Sequence, residues 1–155
     1  MMPDTLTDKP VAPAWRWPLA YGLTAVVFLA MDGVWLSSTP ATFYKPAIGH
    51  LMAASVDWLA VALFYPLYLV GLQVFAIAPA FGTGRALTAC LRGALFGVIA
   101  YATYDLTNQA TLRDWPWQVT VIDMVWGGIV SGVSAGVAAA LALATSRRAI
   151  RTSGR

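Results

Sequence analysis

Four long apolar stretches constrain the fold of this chain more than any other feature. They run from about Trp17 to Leu36, from Asp57 to Ala80, from Ala89 to Ala110 and from Trp117 to Ala144. Each is long enough to cross a hydrocarbon layer of about 30 Å as an α-helix. Only 11% of the residues are charged, against about 25% in a typical soluble domain. The sequence therefore predicts an all-α integral membrane protein with a four-helix transmembrane bundle.

The predicted domain organisation is one transmembrane domain, residues 16–145, between two tails. Residues 1–15 are rich in proline and are expected to be a disordered cytoplasmic tail. Because this leader carries acids and precedes a run of spanning length, we do not expect a cleavable signal peptide. Residues 146–155 carry Arg147, Arg148, Arg151 and Arg155 and are expected to form a basic cytoplasmic tail.

The basic residues are distributed unevenly between the two sides of the predicted bundle. The ends of the chain and the loop between the second and third spans hold most of them, whereas the other two loops hold only Lys45 and Arg113. Cytoplasmic loops are enriched in lysine and arginine. We therefore expect a multi-pass protein of a bacterial inner (plasma) membrane, with both termini cytoplasmic. The net charge of +3 is explained by this topology, and no nucleic-acid partner is expected.

The loop between the first two spans, residues 37–55, is too long and too aromatic for a plain linker. Phe43, Tyr44, Ile48, Leu51 and Met52 are compatible with a short interfacial helix on the outer leaflet. Its function is either to cover a site as a lid or to pack across the helix ends.

Small residues recur at four-residue spacing in the last two spans. Gly93 and Gly97 form a GxxxG motif, and Gly128, Gly132 and Gly136 form a longer row. Such rows let helix backbones approach closely in lipid. Packing within the bundle is one interpretation, and a homodimer through either row is the other.

Three aspartates lie in the interior of the apolar stretches: Asp32, Asp105 and Asp123. A charged residue at the centre of a spanning helix costs about 2.5–3.5 kcal/mol on insertion scales. From the predicted helix ends, each lies roughly 6–9 Å below the outer boundary at about 1.5 Å per residue. We therefore expect the three carboxyl groups to lie together near the periplasmic leaflet, as candidate catalytic residues of a polar pocket.

Polar and aromatic residues accompany these acids at helical spacing. Asp-x-x-Trp occurs twice, and Tyr101, Asp105 and Asn108 share a helical face. The candidate ligand-binding residues are Trp35, Tyr65, Tyr101, Tyr104, Asn108 and Trp126. No metal site or cofactor is predicted, because the chain has a single cysteine and a single histidine.

Several of these segments together resemble a known family. They are Asp32–Trp35, Phe43-Tyr44, Phe64-Tyr65, GALFGVIAYATYDLTNQATLRDWP and Asp123–Gly127. The chain is similar, from about Ala20 to Ala140, to the bacterial inner-membrane family called domain of unknown function 2177 (DUF2177). The resemblance implies a four-helix membrane protein and brings no catalytic assignment. Members are often encoded near enzymes that modify membrane fatty acyl chains, which favours a lipid-related function by association.

Three functions remain open from the sequence. The first is binding or modification of a lipid or small amphipathic molecule at the aspartate pocket, with an aspartate as general acid if the protein is an enzyme. The second is a small proton-coupled or cation transporter that uses the same acids. The third is a non-catalytic membrane scaffold in which the acids are purely structural.

Overall fold

The structure is a computed structural model that describes residues 13–153, and nearly all of these are helical. The four long helices are α1 (Arg16–Ser38), α3 (Trp58–Thr83), α4 (Ala86–Thr111) and α5 (Trp117–Ser153), and a short α2 (Lys45–Ile48) lies between the first two. Each of the four is long and apolar enough to cross a membrane, and residues 13–153 contain no strand. The predicted four-helix membrane fold is confirmed.

The helix ends lie within three residues of the predicted ones, except at the end of the last helix. Asp57, predicted as the start of the second span, is the N-cap of α3, and its carboxylate accepts hydrogen bonds from the amides of Leu59 (2.9 Å) and Ala60 (3.2 Å). The last helix continues to Ser153, so most of the segment predicted as a basic tail is helical. Residues 1–12 of the predicted N-terminal tail lie outside the described residues.

Helix α3 is irregular at two places. Pro66 lies inside it, and residues Gln73–Ile77 form a π-helical segment. The helix ends at Gly84, whose φ of 65° is left-handed, a conformation that glycine adopts without steric cost. The Gly84 carbonyl accepts a hydrogen bond of 2.9 Å from the Arg147 guanidinium, which ties the α3–α4 turn to α5.

The bundle is apolar on the outside and lined by small residues inside. Val26, Leu59 and Leu67 are 68%, 69% and 73% exposed. The fully buried residues include many alanines, among them Ala20, Ala76, Ala80, Ala89, Ala135, Ala138, Ala139 and Ala142. Large aliphatic side chains on the outer surface suit a protein solvated by lipid and not by water.

The closest helix pair is α4 with α5, along a surface that we call the glycine seam, formed by Gly93 and Gly97 of α4 and Gly127, Gly128, Gly132 and Gly136 of α5. A Cβ atom on Gly93 would lie 2.7 Å from the Ser131 carbonyl oxygen, and one on Gly132 would lie 3.0 Å from the Ala94 Cβ. Both predicted glycine rows are therefore in contact within the chain. A homodimer through them stays a prediction.

Candidate functional site

Asp32 of α1 joins three of the four long helices. Its side chain is buried and accepts a hydrogen bond of 2.5 Å from the Tyr65 hydroxyl of α3. Its other carboxylate oxygen accepts a longer bond of 3.4 Å from the indole N–H of Trp126 in α5. Both donors are neutral groups.

Asp123 of α5 binds the outer segment instead. Its carboxylate accepts a hydrogen bond from the hydroxyl of Tyr44, which lies in the π-helical turn Pro40–Tyr44 just before α2. That hydroxyl in turn accepts a bond of 3.0 Å from the indole N–H of Trp35 in α1. Burial and the hydrogen bond to Asp123 raise the pKa of Tyr44 above its ordinary value, so this phenol stays protonated and keeps donating.

The two Asp-x-x-Trp pairs meet face to face. The rings of Trp35 and Trp126 stack with their centroids 4.3 Å apart and their planes 9° from parallel. Trp126 binds Asp32 directly, and Trp35 reaches Asp123 through Tyr44. Each tryptophan therefore contacts the aspartate of the other helix, directly or through Tyr44, and these contacts link α1 to α5.

Asp32 and Asp123 line one cavity of about 340 Å³, which we call the carboxylate cavity. Both tryptophans and several tyrosines line it too, as do four residues of the outer segment. The complete lining is Asp32, Trp35, Leu36, Pro40, Tyr44, Ile48, Met52, Phe64, Tyr65, Tyr101, Tyr104, Trp115, Asp123 and Trp126. The outer segment between α1 and α3 thus forms part of the wall.

Asp105 lies elsewhere. It is completely buried, and neither of its carboxylate oxygens has a hydrogen-bond partner among the described residues. It lies close enough to Asp123 for the two carboxylates to interact electrostatically, but it is not part of the cavity lining. The structure therefore brings two of the three predicted acids to one cavity and places the third beside it.

The position of Asp105 follows from the glycine seam. Gly93, Gly97, Tyr101 and Asp105 are spaced four residues apart and form one stripe of α4. The opposing stripe of α5 includes Gly127, where a Cβ atom would collide with the Tyr101 ring. This stripe faces α5, and Asp105 lies fully buried on it. Tyr101 lies on the same stripe, and its larger side chain also lines the carboxylate cavity.

The predicted ligand-binding residues fall into two groups. Trp35, Tyr65, Tyr101, Tyr104 and Trp126 all line the carboxylate cavity. Asn108 does not. It lines a neighbouring cavity of about 460 Å³ beneath the outer segment.

Sequence reasoning missed the site role of Tyr44, which it placed only in the outer segment. Phe64 and Trp115 also line the cavity without having been site candidates. Tyr44 contacts Asp123, a residue 79 positions away in the sequence, so local spacing could not predict the contact. The only available signal was an aromatic residue with a hydroxyl group in a long outer loop. In the described part of the chain, no group of three His, Cys, Asp or Glu side chains is placed to hold a metal ion.

Comparison with known proteins identifies the family. The model of the family described as "Predicted membrane protein (DUF2177)" matches residues 17–140. The chain belongs to this family. The DUF2177 match spans all three aspartates and every residue that lines the carboxylate cavity. No curated protein and no solved structure matches the chain.

Proposed function

We propose that this DUF2177 protein is a multi-pass protein of a bacterial inner membrane and binds a lipid or small amphipathic molecule in the carboxylate cavity. The bias of lysine and arginine supports cytoplasmic termini. With that orientation, Asp32 near the end of α1 and Asp123 near the start of α5 lie in the periplasmic half of the bundle. The observation that carries the proposal is a cavity with two buried carboxylates and aromatic walls inside a lipid-solvated protein.

A second cavity supports an amphipathic ligand. It has a volume of about 380 Å³, is mostly apolar, and shares Phe64, Tyr101, Tyr104 and Asp123 with the carboxylate cavity. Phe64 and Tyr104 are 46% and 59% exposed on the outside of the bundle. A polar group in the first cavity and an apolar chain in the second, reaching toward the surrounding acyl chains, would match this pair of surfaces.

The outer segment has the position of a lid. Pro40, Tyr44, Ile48 and Met52 contribute to the cavity wall, and the Tyr44–Asp123 hydrogen bond attaches the segment to α5. Release of that bond would open the cavity toward the periplasmic side. Because both cavity aspartates accept hydrogen bonds from neutral donors, the arrangement suits binding better than proton donation to a substrate.

A proton-coupled or cation transporter is the second candidate, and Asp105 is the observation that favours it. A buried carboxylate without a partner, beside another carboxylate, is the type of group that carries protons or recognises cations in membrane proteins.

Native mass spectrometry of the full-length protein, purified from membranes, tests the binding proposal. We expect co-purified lipid or amphiphile on the wild type, and at least a tenfold lower occupancy on the Asp32→Asn/Asp123→Asn double variant. Asp114→Asn is the matched control, since Asp114 is exposed and has a φ of 57° that asparagine also tolerates. Equal occupancy on wild type and double variant would contradict the proposal. Proton-driven uptake into proteoliposomes that Asp105→Asn abolishes would establish the transporter instead.

A further inference from the structure

The charged side chains that line the carboxylate cavity are all acidic. Its lining contains two aspartates, and no lysine, arginine or histidine of the described residues is part of it. The groups that hydrogen-bond to these aspartates are the hydroxyls of Tyr44 and Tyr65 and the indole N–H of Trp126. Neutral donors stabilise a carboxylate without cancelling its charge. The cavity therefore offers negative potential that the protein's own lining does not neutralise.

The aromatic walls of the cavity also favour a positively charged ligand. Aromatic rings have a negative face that attracts cations, and tryptophan does so most strongly. Trp35 and Trp126 are both half-buried and form adjacent parts of the wall, with tyrosine rings around them. Acids together with aromatic faces are the recurring recognition surface for ammonium groups.

Asp105 is a further buried acid beside the cavity. It is fully buried, both of its oxygens lack a hydrogen-bond partner in the described part of the chain, and it interacts with Asp123. Buried carboxylates are costly unless a positive charge or a full set of donors compensates them. A cation bound beside Asp123 would compensate both groups at once.

We propose that the carboxylate cavity binds an organic ammonium group, with Asp32 and Asp123 as counter-ions and the indoles of Trp35 and Trp126 as its aromatic wall. This inference rests on the proposed binding function and specifies its ligand class. The volume of about 340 Å³ is near the lower end of the range for small-molecule sites, about 300–1,000 Å³, and suits a head group. The adjoining apolar cavity, which includes Phe64 and Tyr104, would take a hydrocarbon chain attached to it.

An inorganic cation fits this cavity less well. Calcium takes about six to eight oxygen ligands, and magnesium keeps several of its waters. Much of this lining is aromatic or aliphatic carbon. Among the described residues, no three potential ligand side chains are grouped for a metal.

The ammonium group has two chemical sources, an aminolipid head group and a free alkylamine, and the experiment separates them. Full-length protein is titrated with dihexanoylphosphatidylethanolamine, with dihexanoylphosphatidylglycerol as the lipid that lacks the amine, and with free ethanolamine. Occupancy is measured by native mass spectrometry and, independently, by tryptophan fluorescence. We expect at least tenfold stronger binding of the ethanolamine lipid than of the glycerol lipid. Binding of free ethanolamine as strong as that of its lipid would make the free amine the source and would still support the proposal.

The variants test which residues recognise the charge. Asp32→Asn/Asp123→Asn is expected to remove the preference for the amine, whereas Asp114→Asn keeps it. The preference of the wild type can be measured even if the double variant does not fold. Equal binding of both lipids, or a preference for the glycerol lipid, would overturn the ammonium assignment and leave lipid binding intact. No binding of any of the three probes, with no co-purified lipid, would overturn the proposed function as well.

Discussion

The glycine seam and the carboxylate cavity are built in opposite ways, although α5 contributes to both. At the seam, α4 and α5 approach so closely that a single methyl group on Gly93 would collide with the Ser131 backbone. At the cavity, large aromatic side chains separate the helices and leave about 340 Å³ of space. The contacts there are single hydrogen bonds and stacked rings instead of continuous backbone packing.

The difference shows which region holds the fold and which is free to bind. Helices in lipid lack a hydrophobic driving force toward each other, so close packing of small residues supplies much of their attraction. The seam provides that attraction over a long stretch of α4 and α5. The carboxylate cavity can therefore keep unfilled space and uncompensated acids. Substitutions in the two regions should then affect different properties.

The largest effect on stability is expected from Gly97→Ala. The added Cβ would contact the Gly127 carbonyl oxygen and lie 2.5 Å from the Ser131 hydroxyl, so α4 and α5 must move apart. Overpacking of this kind costs about 3 kcal/mol at the upper end of its usual range. The free energy of unfolding in mixed detergent micelles, from titration with sodium dodecyl sulfate, measures the loss.

Gly33→Ala is the matched control for Gly97→Ala. Gly33 also lies inside a spanning helix, but a Cβ atom there would have no neighbour within 4 Å. We expect no loss of stability, since alanine is the better helix former. Equal destabilisation by both changes would mean that the seam is not what holds the bundle.

The next largest effect is expected from Tyr44→Phe. It removes the hydrogen bond to Asp123 and leaves the Trp35 indole N–H without its acceptor. Buried groups left unsatisfied cost about 2 kcal/mol. Tyr101→Phe is the control, because the Tyr101 hydroxyl makes no hydrogen bond within residues 13–149. The same titration checks both, and a cost for Tyr101→Phe equal to that of Tyr44→Phe would contradict the assigned role of the outer segment.

Alkaline pH should weaken the same contact. Burial and the Asp123 hydrogen bond raise the pKa of Tyr44 in the folded protein, whereas in the unfolded chain it stays near 10. The stability that Tyr44 contributes is therefore fully present below about pH 10 and is lost as the pH rises toward the folded pKa. We expect the stability difference between wild type and Tyr44→Phe to narrow above about pH 10. A constant difference across that range would contradict this.

The spans were predictable from sequence because membrane solvation acts on every residue of a long segment. Hydropathy and length alone predict four helices, and all four are present. Their ends lie within three residues of the expected ones, except that the last helix continues nine residues past Ala144. That Asp32 and Asp123 lie at the same level of the bundle could also be predicted, because the rise per residue gives the depth of a residue once the helix ends are known.

The rotation of each helix about its axis was much harder to predict, since it depends on which neighbour it packs against. Asp105 shows this. Its spacing with Tyr101 and Asn108 predicts a shared pocket face, yet Tyr101 lines the carboxylate cavity, Asp105 is buried beside Asp123, and Asn108 lines a different cavity. The continuation of the Gly93–Gly97 spacing to Tyr101 and Asp105 indicates that this stripe faces α5, but it does not separate Tyr101, which lines the cavity, from Asp105, which does not.

Apart from the control substitutions, the smallest stability effect is expected from Asp105→Asn, and it is a gain. Asp105 accepts no hydrogen bond among the described residues and lies beside the Asp123 carboxylate, so a neutral amide of the same shape removes a like-charge interaction and breaks no contact. We expect the free energy of unfolding to rise by about 1 kcal/mol, the size of one close interaction between unit charges in a high-dielectric medium. Asp32→Asn makes the same chemical change where both oxygens are used, by Tyr65 and by Trp126. The neutral amide would replace two hydrogen bonds to a carboxylate with weaker neutral ones, and stability should fall. If Asp105→Asn proved as destabilising as Asp32→Asn, Asp105 would be a structural partner in the α4–α5 interface. The contrast between the packed glycine seam and the acidic site would then fail at Asp105.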